Sequence, residues 1–523
     1  MQRVSLSLYL LLLNYVLINL AGEFVDVRAK VYNRNDFPPH FIFGAGTSSY
    51  QVEGAAFEDG RKASIFDTFA HSGIYGDGNG DITADQYHKY KEDVQLMAET
   101  GLDAYRFSIS WSRLKPDGRG PVNPKGVEYY NNLINELVSH GIQPHVTLLH
   151  LDTPQALEDK YGGFLHHNIV EDFTAYADVC FREFGDRVQY WTSINEANIF
   201  IMGGYDSGDS PPGRCSLPFG RHCIKGNSTT EPYIAAHNVL LAHASAARLY
   251  RDKYKAKQHG FLGFSLYLYH FIPAENTTED VMAAQRVYDF FIGLFMDPLT
   301  YGDYPAIVKK NAGRRIPAFT QNQSELVKGS SDFIGVNFYN VVSNKHTNLK
   351  PEARDYLSDM AAEWKFYNQS SDIRETDGLP ALPWGLKGGL EYFKNVYGNP
   401  PIYIHENGQL TNHNVSVNDQ SRIDYLQVLI NGVLEAVRNG SNTKAYFVWS
   451  FIDLFEVLFS YSKSFGLYYV DFNDPNRPRY PKLSQKWYSG FLGGENVTVE
   501  DEAENKLTIL GTSPNNMDDR FSS

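Results

Sequence analysis

Apolar and polar residues follow two periods along this chain. Short runs rich in β-branched and aromatic residues recur at 41–45, 104–108, 144–149, 191–194, 261–266, 333–336, 402–404 and 445–448, each the length of a buried strand. Between them the apolar positions fall three and four residues apart. Tyr90, Val94, Met97 and Ala98 share one face of a helix over 86–100, with Gly101 placed to end it. Val127, Tyr130, Ile134 and Leu137 mark another helix after Asn123, which Gly141 stops. Eight strands alternating with helices, and no second composition regime, predict one α/β domain over 36–492, a (β/α)8 TIM barrel with long loops on one face.

In such a barrel the C-terminal ends of the strands converge on one face. Gln51, His150, Asn195, Glu196, Asn337, Glu406 and Trp449 all lie at or just past strand ends. Two of them are acids that close strand-like runs. Glu406 follows Ile402-Tyr403-Ile404-His405 and precedes an Asn407-Gly408 turn; Glu196 ends the run that starts at Trp191. The chain has 61 acidic residues, so position rather than residue type singles these out. A pair of carboxylates at the ends of two buried strands is what double-displacement glycoside hydrolysis requires. Insertions at 203–231 and 345–382, rich in Gly, Pro and polar residues, are expected to be loops that shape the entrance. From 493 to 523 the chain turns acidic and polar and reads as a flexible tail.

Composition narrows the partners. The 523 residues carry a formal charge of −14, which disfavours nucleic acid or an anionic membrane surface. Arg3, the apolar run 6–20 and Ala21-Gly22 have the layout of a secretory signal peptide, assigned to 1–22, and no other run is long enough to span a membrane. The expected address is the secretory pathway. An oxidising compartment would favour pairing Cys215 with Cys223, leaving Cys180 as a buried thiol. Seven Asn-x-Ser/Thr sites, at Asn227, Asn276, Asn322, Asn368, Asn414, Asn439 and Asn496, are candidate glycan acceptors. His150-x-Asp152 and His405-Glu406 could be metal ligands, but no further ligand falls at a suggestive spacing, and neither GxGxxG nor a P-loop occurs. No metal and no cofactor are expected.

Several longer stretches strengthen the glycosidase reading: FIFGAGTSSYQVEG at 41–54, YRFSISWSR at 105–113, HLDTPQALED at 150–159, GDYP at 302–305 and FGLYYVD at 465–471. With the Asn195-Glu196 pair and Glu406-Asn407-Gly408, in this order, the chain resembles the plant β-glucosidases of glycoside hydrolase family 1 over about residues 36–492. The resemblance implies that Glu196 is the general acid/base and Glu406 the nucleophile, with Arg106 and Tyr339 supporting the ionised nucleophile. It implies a sugar pocket of Gln51, His150, Asn195, Asn337, Tyr339, Trp449, Glu456 and Phe465. Three positions depart from the family pattern. Val457 stands where a sugar-contacting Trp usually follows the glutamate, and Ser193 and Ala197 replace a Thr and a Pro around the acid/base pair. An aglycone-side Trp is also missing, with Gly378 at the best-aligned position.

The resulting expectation is a retaining β-glucosidase acting on terminal β-D-glucosyl residues of small plant glycosides. Two alternatives stay open at this point. An acyl-glucose-dependent transglucosidase would share the glycosyl-enzyme intermediate and differ only in the acceptor. A non-catalytic sugar-binding protein would have no need of both carboxylates.

Overall fold

A computed structural model of the protein describes residues 30–221, 223–350, 354–367, 378–413 and 417–499. Its centre is a ring of eight parallel strands: β1 (Ile42–Gly46), β2 (Ala104–Ser108), β3 (Gln143–Leu149), β4 (Tyr190–Ile194), β5 (Phe261–Pro273), β6 (Ile334–His346), β7 (Ile402–Asn407) and β8 (Thr443–Trp449). Each pairs with the next, from Gly44 opposite Ala104 around to Thr443 opposite Ile402. Ala445 opposite Ile42 closes the ring, so the barrel has no free edge.

Helices cover the outside, and those such as Pro124–Ser139 turn one apolar stripe inward. Pro124–Ser139 starts at Asn123, whose Oδ1 accepts from Lys125 N at 3.2 Å. Such a cap stabilises by about 1 kcal/mol. The helix buries Tyr130, Leu133, Ile134 and Leu137 against the barrel, and truncating Leu137 to Ala would cost about 2–5 kcal/mol. Gln86–Thr100 ends as its spacing predicts, with Gly101 at φ 83°.

Inside, alternate residues of the strands stack in layers. The lower layer is aromatic. His145 lies flat on Tyr190, ring centroids 4.4 Å apart, and Tyr403 packs on Phe333 at 4.7 Å and on Tyr190 at 5.5 Å. Phe447 completes it, 4.9 Å from His145. Burial holds His145 neutral, pushing its imidazole down to about 3. This plug is a dry floor, and the next layer up carries the chemistry.

Three expectations need correcting. The strands predicted at 261–266 and 333–336 run on to Pro273 and His346 and stay paired above the rim, from Tyr269 opposite Asn340 to Pro273 opposite Asn344. Residues 345–382 are not all loop either: Ala362–Phe366 adds an antiparallel strand to β6. Its alternation of Trp364 and Phe366 with exposed Glu363 and Lys365 is the period that an insertion rich in polar residues obscures. Lys30–Tyr32 and Val497–Val499 form a separate antiparallel pair, so those three residues of the acidic tail are a strand. The reason is local, since Val-Thr-Val is β-branched throughout. The signal-like run 6–20 and residues from 500 lie outside the described residues, and among those described no helix is long and apolar enough to cross a membrane.

Cys215 and Cys223 form a disulfide, Cα atoms 4.9 Å apart, and Cys180 is a buried free thiol. Asn227, Asn276, Asn322, Asn439 and Asn496 are exposed; Asn368 and Asn414 lie outside the described residues.

Candidate active site

Glu406 reaches the barrel interior through an irregularity in β7. Ile404 faces Val336, but Glu406 rather than His405 faces Asn337, and on the other side Asn407 faces Val448. One extra residue therefore breaks the two-residue side-chain period. His405 packs on Phe333 and Phe447 in the floor while the adjacent Glu406 also turns inward. Arg106 of β2 donates from Nη1 to Glu406 Oε1 at 2.6 Å, and Tyr339 of β6 donates its hydroxyl to Oε2 at 3.1 Å. Gly408 follows because nothing larger fits: a Cβ there would sit 1.9 Å from the Trp449 carbonyl oxygen.

Glu196 is placed by a different device. β4 ends at Ile194, and Glu196 adopts left-handed backbone, φ 45° and ψ 50°, before the helix Ala197–Met202. For a non-glycine residue that conformation costs about 1–3 kcal/mol and persists only where the surroundings impose it. Here Asn198, fully buried, closes on β5: its Nδ2 donates to Tyr267 O at 2.8 Å and its Oδ1 accepts from Tyr267 N at 2.9 Å. The turn leaves Asn195 and Glu196 both facing the cavity. Asn337 Nδ2 donates to Glu196 Oε1 at 2.8 Å and to Asn195 Oδ1 at 3.2 Å. The same Asn195 oxygen accepts from Arg106 Nη2 at 2.6 Å. Arg106, Asn195 and Asn337 thus join both acids in one hydrogen-bonded network.

The two acids differ electrostatically. Both are pushed up by burial. On Glu406 the Arg106 guanidinium and the donors Tyr339 and Asn337 pull the other way. Glu196 has only Asn337 and the field of Arg106 on its side, and the Glu406 charge opposes it, so it is pushed up to about 8. Glu196 sits deep in the protein yet keeps part of its surface open to the cavity. These contacts favour the charge on Glu406 and the proton on Glu196.

The remaining predicted residues surround the same space. His150 Nε2 meets Asn195 Nδ2 at 3.3 Å, and its ring lies 5.9 Å from that of Trp449 with planes 15° apart. Trp449 in turn donates to Glu456. Gln51 is held by Ser48, whose hydroxyl donates to Oε1 at 2.7 Å, and it donates to Phe455 O at 2.8 Å, next to Glu456. Phe465 packs edge-on against Tyr339, centroids 5.8 Å apart. Glu456 Oε1, His150 Nδ1 and Asn337 Oδ1 are buried without a protein partner. Buried polar atoms rarely stay unpaired, and a ring of sugar hydroxyls would satisfy all three. Burial raises the Glu456 carboxyl well above the usual range and lowers the His150 imidazole well below its own.

The departures separate by direction. Ser193 turns away from the cavity, its hydroxyl 2.7 Å from His243 Nδ1 and donating to Gly263 O. Ala197 is buried at the start of its helix. Val457 is half-buried beside Glu456. Gly378 lies against the Gln409 side chain and brings no ring. The sequence reading missed Asn198, which no motif marks, and Tyr267, whose ring lies 5.6 Å from Tyr339. Tyr267, Tyr269 and Phe271 continue the alternation of β5, so following the period past Leu266 would have found Tyr267.

Comparison with known proteins agrees with this geometry. The profile of "Glycosyl hydrolase family 1" matches residues 33–496. Beta-glucosidase 11 of Arabidopsis thaliana is 54% identical over 501 residues, covering 91% of this chain and 96% of its own. A Dianthus caryophyllus protein named cyanidin 3-O-glucoside 5-O-glucosyltransferase (acyl-glucose) is 55% identical over 478 residues, 90% of each chain. Among solved structures the rice Os3BGlu6 β-glucosidase superposes with a TM-score of 0.85 at 44% identity, covering 88% of this chain and 99% of its own. A mutant of that rice enzyme, in a covalent complex with glucose, gives the same score and coverage. With the barrel, the two strand-end acids and a family profile running nearly its whole length, this chain belongs to glycosyl hydrolase family 1.

Proposed function

We propose that the protein is a retaining β-glucosidase in which Glu406 is the nucleophile and Glu196 the acid/base. Glu406, kept ionised by Arg106 and Tyr339, attacks the anomeric carbon; the bond to the leaving oxygen breaks as Glu196 gives that oxygen its proton. The product of this step is a glucosyl ester on Glu406. Esterification removes the Glu406 charge, so Glu196 ionises more easily and takes a proton from the incoming water. Attack by that water frees glucose with the starting configuration and returns the proton to Glu196. Gln51, His150, Asn195, Trp449 and Glu456 surround the sugar, with His150 Nδ1 and Glu456 Oε1 free to pair with its hydroxyls.

The observation that carries this reading is the unequal treatment of two buried acids in one network: Glu406 is bonded to a guanidinium and a phenol, whereas Glu196 is bonded to the neutral Asn337 and faces the Glu406 charge. Following an aryl β-glucoside by NMR tests it, since β-glucose must appear first. Release of α-glucose would overturn the reading. The second reading, in which the same ester is passed to an alcohol, rests only on the name of the Dianthus relative. Adding acceptor alcohols to the assay separates the two by product.

We also propose entry to the secretory pathway, with delivery to the apoplast or vacuole. The signal-like run 6–20, the Cys215–Cys223 disulfide and the exposed acceptor asparagines support it. Secretion of the full chain from plant cells, with glycan on the peptides that contain those asparagines, is the test.

A further inference from the structure

Two neighbouring strands lose their regular register at the same level of the barrel. Along β7 the slip falls between Ile404 and Glu406. Along β6 it falls at Tyr339, since Leu268 of β5 faces Phe338 whereas Tyr269 faces Asn340. Both irregularities lie beside the bond in which Tyr339 donates to Glu406. The ladder between the two strands also ends there, with Asn337 opposite Glu406. Backbone pairing therefore stops where the carboxylate must be held most firmly, and a side chain takes over.

That side chain is Asn407, fully buried and turned away from the cavity. Its Nδ2 donates to Phe338 O at 2.6 Å and to the Tyr425 hydroxyl at 2.9 Å, and its Oδ1 accepts from the Tyr446 hydroxyl at 2.6 Å. The three partners belong to β6, to the helix Gln420–Arg438 and to β8. Both amide protons and the oxygen are used, so one orientation of the amide satisfies all three. Turned over, it would set its oxygen against the Phe338 carbonyl. Phe338 is the residue between Asn337, which donates to Glu196, and Tyr339, which donates to Glu406. One amide thus ties the backbone that carries Glu406 to the two residues that hold both acids.

Resting on the assignment of Glu406 as nucleophile above, we propose that Asn407 is a positioning residue, oriented by Tyr446, that holds Tyr339 against Glu406 and so sets the line of attack on the anomeric carbon. It acts through its neighbours and does not touch the sugar. Without the amide, Phe338 O and two phenols lose a partner in the interior. Their relaxation moves Tyr339, and the carboxylate it steadies drifts from the reacting carbon.

The test follows the attack alone, in the full-length protein, with 2,4-dinitrophenyl 2-deoxy-2-fluoro-β-D-glucoside. Glu406 bonds to the anomeric carbon as dinitrophenolate leaves with the bonding electron pair and no added proton. The fluorine slows hydrolysis of the resulting ester, which accumulates. The amplitude of dinitrophenolate release counts competent chains, and its rate at saturation reports how well Glu406 is aimed.

In Asn407→Ala that rate should fall about a hundredfold, the loss expected of a misplacement of about 1 Å. The dissociation constant of the reagent should change by less than about twofold. Tyr446→Phe keeps the amide but removes the donor that orients it, and should slow the same step about threefold to tenfold; it decides the matter if Asn407→Ala does not fold. An unchanged rate in the deciding variant, or a lower amplitude at unchanged rate, means that Asn407 serves stability alone and overturns the proposal. Absence of dinitrophenolate release from the unaltered protein would instead overturn the assignment of Glu406 as nucleophile.

Discussion

Asn198 holds both hydrogen-bonding groups of the Tyr267 peptide, donating to its carbonyl at 2.8 Å and accepting from its N–H at 2.9 Å. It thereby anchors, two residues from the acid, the left-handed turn that aims Glu196. Replacing Asn198 by Ala leaves that peptide unpaired in the interior, a cost of about 1–3 kcal/mol. The expected result is a lower kcat with KM little changed, and a basic limb of the pH profile that moves toward lower pH as Glu196 gains solvent. A lower Tm with the limb in place would reduce Asn198 to a structural role.

The two acids should fail differently. Glu406→Gln should abolish turnover of every glucoside, because no other group attacks carbon. Glu196→Gln should still form the glucosyl ester from substrates whose leaving group needs no proton, such as 2,4-dinitrophenyl glucoside. Azide, which needs no general base, should then restore turnover. Equal loss in both variants on that substrate, without rescue, would remove the division of roles.

The pH dependence follows from the raised Glu196. Since it must be protonated to start the reaction, kcat/KM for a poor leaving group should fall as pH rises through about 8. Stability has the same sign. The folded state holds this proton more tightly than the unfolded chain, so the contribution is complete below the ordinary carboxyl value of about 4.5 and is lost as pH rises through about 8. Glu196→Gln does not titrate, so its Tm advantage over the unaltered protein should grow from pH 5 to pH 8. Parallel Tm curves for the two proteins would contradict this.

Val457 should loosen sugar selection. Beside Glu456 it offers a sugar hydroxyl neither donor nor acceptor, and a neutral hydrogen bond is worth about 0.5–1.5 kcal/mol. Val457→Trp should therefore raise the ratio of kcat/KM for a glucoside over its epimers by about threefold to tenfold without creating activity from nothing. An unchanged ratio, with the indole seen beside Glu456 in a crystal structure, would mean that position 457 does not read the sugar.

The barrel was legible because its signals are periodic and local. The strands β2 and β7 begin where their β-branched and aromatic runs begin, and Gly101 ends its helix in the left-handed conformation its position requires. Glu196, Glu406, Arg106 and Trp449 could be picked out because a parallel barrel gathers strand ends, so position along a strand stands in for position in space. What escaped depends on tertiary contact. Asn198 is one more Asn until Tyr267 folds against it, and the length of β5 and β6 comes from their pairing with each other and with Ala362–Phe366, segments far apart in the chain. The local signal of that strand, Trp364 and Phe366 alternating with Glu363 and Lys365, is short and lies within a polar insertion.

The extra residue in β7 makes the height of Glu406 a matter of counting. His405 and Glu406 are neighbours in the chain but occupy successive storeys of the barrel, one in the aromatic floor and one bonded to Arg106. Substitutions along 402–405 can be absorbed by repacking. Loss or gain of one residue there cannot, because it would lift an imidazole to the carboxylate's storey or drop the carboxylate into the floor. Exchanges that keep the volume and apolar character of the segment leave that height unchanged, whereas its length is fixed.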